Sequence, residues 1–155
     1  MEKEVAVLLH DVRSAHNVGS IFRTADASGV SKIFLTGFTP QPTDRFGRAQ
    51  KEIAKTALGA EKYLQWEYKK SPLTPVSALR KSGWEIVAIE QDATAAHYRK
   101  FKLKKPTLFI FGNEVSGIKK SLLKKCDRIL EIPMRGKKES LNVSVAAGII
   151  LFSIR

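Results

Sequence analysis

The sequence predicts an α/β fold, a parallel sheet with helices on both faces. Three observations predict it. Short apolar runs alternate with amphipathic stretches along the whole chain, the pattern of strand–helix units whose crossovers impose parallel pairing. The first run, Val5-Ala6-Val7-Leu8-Leu9, is apolar at every position and reads as a buried strand. The 155 residues are 43% hydrophobic and 27% charged, the balance of an ordinary globular protein and one domain's worth of chain. Residues 1–155 therefore read as a single domain.

After Val5–Leu9 comes a helix over Asn17 to Ser28. Its apolar residues Val18, Ile21, Phe22 and Ala25 recur at i, i+3, i+4 and i+7. Asn17 is a good N-cap, and Gly29 a good stop. Ser31 to Thr36 is the next strand. Gly37 to Arg48 is rich in Gly, Pro and polar residues, hence a loop. Ala49 to Leu58 follows as a helix, Tyr63 to Tyr68 as a strand, and Thr74 to Lys81 as a helix stopped by Gly83. Trp84–Ile89 and Leu108–Phe111 are strand-like. Ser121–Lys125 is a short helix, Arg128–Ile132 a strand, and Asn142–Ile154 the last helix. This last helix is apolar nearly all round, from Val143 to Phe152. Such a helix must be covered on all sides, by an unusual chain path or by a second subunit.

In parallel sheets ligands bind beyond the carboxyl ends of the strands. That rule puts the loops His10–His16, Glu90–Ala93, Gly112–Gly117 and Pro133–Ser140 on one rim.

Charge supplies the first functional clue. Lys and Arg number 27, Asp and Glu 15, so the net charge is +12 and the pI is near 10.0. Such an excess on a small domain favours a polyanionic partner, usually nucleic acid. It also weakens the reading as an enzyme for a small anionic metabolite. The longest apolar stretch, Val145 to Phe152, is too short for a membrane span. Met1-Glu2-Lys3-Glu4 lacks a signal pattern. A cytoplasmic location and no membrane partner are expected. Cys126 is the only cysteine, and His10, His16 and His97 form no zinc motif. No metal is expected.

Three segments carry candidate chemistry. His16-Asn17-Val18-Gly19-Ser20-Ile21-Phe22-Arg23-Thr24-Ala25-Asp26 places Arg23 opposite the apolar face of its helix. By itself it reads as a capped helix with a surface arginine. Leu108-Phe109-Ile110-Phe111-Gly112-Asn113-Glu114-Val115-Ser116-Gly117 runs an apolar strand into a Gly-flanked turn bearing a carboxylate. Glycines there let backbone approach a ligand. It lacks the Gly-Lys-Ser/Thr of a P-loop and the spacing of a dinucleotide fingerprint. Ile132-Pro133-Met134-Arg135-Gly136-Lys137-Lys138-Glu139-Ser140-Leu141-Asn142 leads through a basic loop into a helix start, where free backbone N–H groups favour anions.

Together and in this order, the segments HNVGSIFRTADASGV, FGNEVSG and IPMRGKKESLNVSVAAGI closely resemble the three motifs of the SpoU/TrmH family of RNA ribose 2′-O-methyltransferases, in the SPOUT superfamily. The resemblance covers about Val5 to Ile154. It implies a parallel-sheet domain with a C-terminal trefoil knot, a homodimer, and S-adenosylmethionine bound in the knot. It implies methyl transfer to a ribose 2′-hydroxyl of tRNA or rRNA. The knot and the dimer would account for the apolar last helix.

Carried onto this sequence, the resemblance makes Arg23 the catalytic arginine and Asn17 the residue that holds that arginine and the loop in place. Glu114 and Asn142 would organise the site, with Ser140 near the donor. The donor would lie against Ile89, Gly112, Ile132 and Met134, closed over by Ser140 and Leu141. All three motifs are intact, which favours an enzyme. The alternative is a basic RNA-binding or ribosome-assembly factor that keeps the fold without turnover. No separate RNA-binding domain is expected. Arg45–Lys55, Tyr98–Lys105 and Arg135–Lys138 are then the candidate RNA surfaces. In Tyr98-Arg99-Lys100-Phe101-Lys102, aromatics and cations interleave as suits single-stranded RNA.

Overall fold

The strands are β1 (Val5–His10), β2 (Lys32–Thr36), β3 (Gln65–Lys69), β4 (Glu85–Ile89), β5 (Ala96–His97), β6 (Thr107–Phe111) and β7 (Arg128–Glu131). The helices are α1 (Ala15–Ser28), α2 (Lys51–Ala57), α3 (Ala60–Tyr63), α4 (Leu73–Lys81), α5 (Lys120–Leu123) and α6 (Val143–Ser153). This computed structural model describes residues 2–155.

All strand pairs are parallel, in one seven-stranded sheet of order β3-β2-β1-β6-β4-β7-β5. Strand alternation divides the core into two layers. Val5, Val7, Leu9, Val87, Phe109 and Phe111 face α1, α2, α3 and α6. Ala6, Leu8, Ile86, Ala88, Leu108 and Ile110 face α4 and α5 through Val76, Leu122 and Leu123. The expected parallel sheet with helices on both faces is therefore present. No helix among the described residues is long and apolar enough to cross a membrane.

Register places the functional loops. His10 pairs with Thr36, Leu9 with Phe111, Ala88 with Ile110 and Ile89 with Leu130. The carboxyl ends of β2, β1, β6, β4 and β7 thus open side by side.

Several local expectations need correction. Helix α1 begins at Ala15, and its N-cap is Ser14, whose Oγ accepts the Asn17 backbone N–H at 3.1 Å. Asn17 lies inside the first turn. The stretch assigned to one strand from Tyr63 is divided: Tyr63 ends α3, and pairing starts at Gln65. β5, a two-residue strand beside β7, was not foreseen. Phe101 is buried edge-on against Phe109, with ring centroids 5.5 Å apart, so it cannot take part in an RNA-facing series with Tyr98. Helix α6 is covered on one face only, through Val143, Ala147, Ile150 and Leu151. On the other face Val145 is 51% exposed and Phe152 59%.

Candidate active site

The rim is organised around the Glu114 carboxylate. One oxygen accepts the Arg13 N–H at 3.1 Å. The other accepts the Ser14 N–H at 3.0 Å and the Asn17 side-chain amide at 3.4 Å. A carboxylate at a helix N-terminus satisfies free N–H groups and complements the macrodipole. Here the anion comes from a loop about 100 residues away in sequence. Asn17, almost fully buried, passes the link on: its Oδ1 accepts from the Asn142 side-chain amide at 3.2 Å. Asn142 caps α6, its Oδ1 accepting from the Ser144 N–H at 2.8 Å and hydroxyl at 2.6 Å. One hydrogen-bonded chain, Glu114–Asn17–Asn142, therefore ties together all three motif segments.

Partial burial pushes the Glu114 carboxyl up. The N–H groups of Ser14, Glu114 itself and Arg13, with the Asn17 amide, together outweigh it and hold the group below the usual carboxylate range. A depressed folded-state value contributes stability above the unfolded value and loses it as pH falls through the folded one. Glu114→Gln should therefore melt lower than wild type near neutral pH. The gap should close as pH falls through and below the carboxylate range. Thermal melts across pH check this; a constant gap would contradict it.

The Gly112–Gly117 turn is tightly built. The Asn113 side-chain amide donates to the Asp11 carbonyl at 2.8 Å, and its Oδ1 accepts the Val115 and Ser116 N–H groups at 2.9 Å. Asp11 itself is held at φ 56°, and its Oδ1 accepts the Phe38 N–H at 2.8 Å. A Cβ at Gly112 would sit 2.6 Å from the Ile118 side chain and 2.7 Å from the Gly117 carbonyl, so only glycine fits. Glu90 closes the turn from β4, its two oxygens accepting the Ile118 N–H at 2.7 Å and the Gln91 N–H at 2.9 Å. Glu90, Asn113, Asp11 and Ser14 are organising residues that sequence reasoning missed. Ser14 had a readable signal, as a capping residue just before the amphipathic stretch, and Asn113 stands within the FGNEVSG segment.

Ile89, Gly112, Ile132 and Met134 stand at or just beyond the ends of the adjacent strands β4, β6 and β7, all partly exposed. Ser140 and Leu141 lie exposed on the loop before α6. Arg23 is separate. It is exposed on α1, in a groove with Ser20, Lys55, Thr56 and Phe152. Six residues at the helical rise put it ~9 Å beyond Asn17 along the axis. Asn17 bonds to Ser14, Glu114 and Asn142, which ties it to the loop before α1 and to the other two segments. The Cys126 thiol is pushed up to about 11, chiefly by burial and further by Asp127, which removes it as a nucleophile at neutral pH.

A profile of the SpoU rRNA methylase family matches residues 4–152. The chain belongs to the SpoU rRNA methylase family. It is 31% identical over 151 residues to the tRNA (guanosine(18)-2′-O)-methyltransferase of Aquifex aeolicus, covering 97% of this chain and 68% of that protein. It is 32% identical over 146 residues to the 23S rRNA (guanosine-2′-O-)-methyltransferase RlmB of Pseudomonas aeruginosa, covering 94% and 56%. Its fold matches the crystal structure of an AdoMet-bound rRNA methyltransferase from Sinorhizobium meliloti with TM-score 0.88 and 32% identity, covering 99% of this chain and 56% of that one. This SpoU-family chain thus spans between about half and two thirds of these relatives.

Proposed function

We propose that the protein is an S-adenosylmethionine-dependent methyltransferase acting on a ribose 2′-hydroxyl of tRNA or rRNA in the cytoplasm, without a metal. The observation that carries the reading is the Glu114–Asn17–Asn142 chain. It joins the three family segments at the rim where parallel sheets bind ligands. A non-catalytic RNA binder has no need of that pre-built arrangement.

The methyl donor would lie across the strand ends. Ile89, Ile132 and Met134 offer apolar side chains for the faces of an adenine. Gly112, whose missing side chain makes room for the Gly117–Ile118 turn, would offer its backbone at the end of β6. Ser140 and Leu141, exposed on the loop before α6, would close over the donor. When bound, S-adenosylmethionine supplies a sulfonium methyl already activated toward displacement. The ribose oxygen would form the new bond to the methyl carbon as the carbon–sulfur bond breaks, the electron pair would stay with sulfur, and the hydroxyl proton would pass to solvent water. The protein's contribution is alignment and charge. A guanidinium is a poor base, so the role of Arg23 is to stabilise the developing alkoxide and grip the adjacent phosphate. Glu114 acts as a positioning residue for the start of α1.

Two further features of the family reading have support here. A C-terminal trefoil knot is in keeping with the chain path, which crosses from β6 over β4 to β7 and then returns to pack α6 on α1. A homodimer would cover the exposed face of α6. It would also bring Arg23, which shares its groove with Phe152, to the contact between copies and so toward a second donor site. Sedimentation at micromolar concentration should give twice 17.3 kDa. A monomer that still methylates RNA would overturn the dimer.

Calorimetry with S-adenosylmethionine and its demethylated product, in chelator, tests the assignment. Saturable binding is expected. No binding at millimolar ligand, an affinity of only about 4 kcal/mol, would overturn it.

A further inference from the structure

Phe46 stands at the tip of the loop between β2 and α2 with 66% of its surface exposed. Exposure alone is ordinary; the surroundings are not. The Arg45 and Arg48 guanidinium carbons lie 4.8 and 5.0 Å from the ring centroid. Asp44 fixes the turn: its carboxylate accepts the Phe46 N–H at 2.8 Å, the Arg48 N–H at 3.0 Å and the Arg48 Nε–H at 2.8 Å. The Asp44 N–H donates to the Arg48 carbonyl at 2.9 Å, and the Gly47 N–H to the Asp44 carbonyl at 2.9 Å. Thr43 and Ala49 close the base as an antiparallel bridge. Gly47, at φ 77°, makes the reversal. The tip is a hydrogen-bonded hairpin that presents one aromatic ring beside two cations.

We propose that Phe46 is a stacking platform for an unpaired nucleotide of the RNA substrate, with Arg45 and Arg48 taking the flanking phosphates. The proposal deepens the RNA-methyltransferase reading and rests on it for the identity of the substrate. Every base has a π-face that can stack on a ring or on a guanidinium plane, whereas phosphates need cations. A net charge of +12 supplies the attraction for the same polyanion. The hairpin also lowers the cost of ordering on binding, because Asp44 has already ordered it. The loop leaves the carboxyl end of β2, beside His10 on β1, so it starts from the rim that carries the active-site segments.

The test compares a 12-nucleotide single-stranded oligouridylate with an RNA duplex of equal length as probes for the full chain. Phe46→Ala should weaken single-strand binding by about 5- to 150-fold and leave duplex binding and the salt slope nearly unchanged. Phe46→Trp should keep wild-type binding, and Phe46→Leu should not restore it. Arg45→Ala with Arg48→Ala should lower the single-strand salt slope by up to about 1.4. Melting temperature and methyl-donor binding should stay at wild-type values in all variants. Equal losses on single strand and duplex, or full binding by Phe46→Leu, would overturn the stacking role. Unchanged RNA binding by Phe46→Ala would also overturn it, leaving the tip as a protein-contact surface. Failure of the wild-type chain to bind the methyl donor would count against the enzyme reading and not against Phe46.

Discussion

Arg23→Ala should lower kcat by ~10²–10³, the usual loss on removing a donor aimed at developing negative charge. Methyl-donor affinity should hardly change, because Arg23, in the α1 groove with Phe152 and Lys55, is assigned to the ribose oxygen and phosphate of the RNA and to no part of the donor. Single-turnover kinetics with saturating RNA separate this effect from weakened binding. Arg23→Lys is the sharper variant, since it keeps the charge and loses the planar fork. Full activity in Arg23→Lys would reduce Arg23 to a phosphate clamp. Wild-type kcat in Arg23→Ala would refute the catalytic role. Removing Arg99, Lys100 and Lys102 should act differently, weakening RNA binding and flattening its salt dependence.

The largest effect on stability is expected at Gly19. This glycine is buried where α1 crosses α2, and a Cβ there would overlap the Thr56 hydroxyl and the Ile53 carbonyl oxygen, with the Ala57 nitrogen at 3.1 Å. Two of those atoms are helix backbone and cannot swing aside. Overpacking costs ~1–3 kcal/mol in general, and Gly19→Ala belongs at the upper end. For a domain of this size that is a fall in Tm of roughly 5–10 °C. Gly136→Ala is the control, since a Cβ there meets nothing within 4 Å; its change should stay within about 0.5 kcal/mol. Equal melting temperatures for Gly19→Ala and wild type would contradict the close helix crossing.

The sheet was legible because continuous apolar runs such as Val5–Leu9 and Leu108–Phe111 admit few readings. Short elements were not. β5 has two residues and α3 four, too few for any period to register. Helix α1 shows why boundaries slip: Ser14 and Asn17 are both capping residues, and only the fold decides that Ser14 caps while Asn17 turns inward to Glu114. The apolar girth of α6 was plain in sequence, but which face the chain itself covers was not. At the site, Asn17, Glu114 and Asn142 were legible through family resemblance. Their hydrogen bonds span 97 and 125 residues, and no local pattern announces such a meeting. Glu90 had no motif around it, and its part appears only once β4 ends beside the Gly117–Ile118 turn.

The proposed reaction is methyl transfer to a ribose oxygen. Its most direct test is incubation of the purified protein with methyl-labelled S-adenosylmethionine and unmodified tRNA or rRNA, followed by alkaline hydrolysis. A 2′-O-methyl group blocks the attack of that oxygen on the neighbouring phosphate. Label is expected in alkali-resistant dinucleotides, formed ~10²–10³ times more slowly by Arg23→Ala. Label released as mononucleotides would mean methylation of a base and would contradict the proposed reaction.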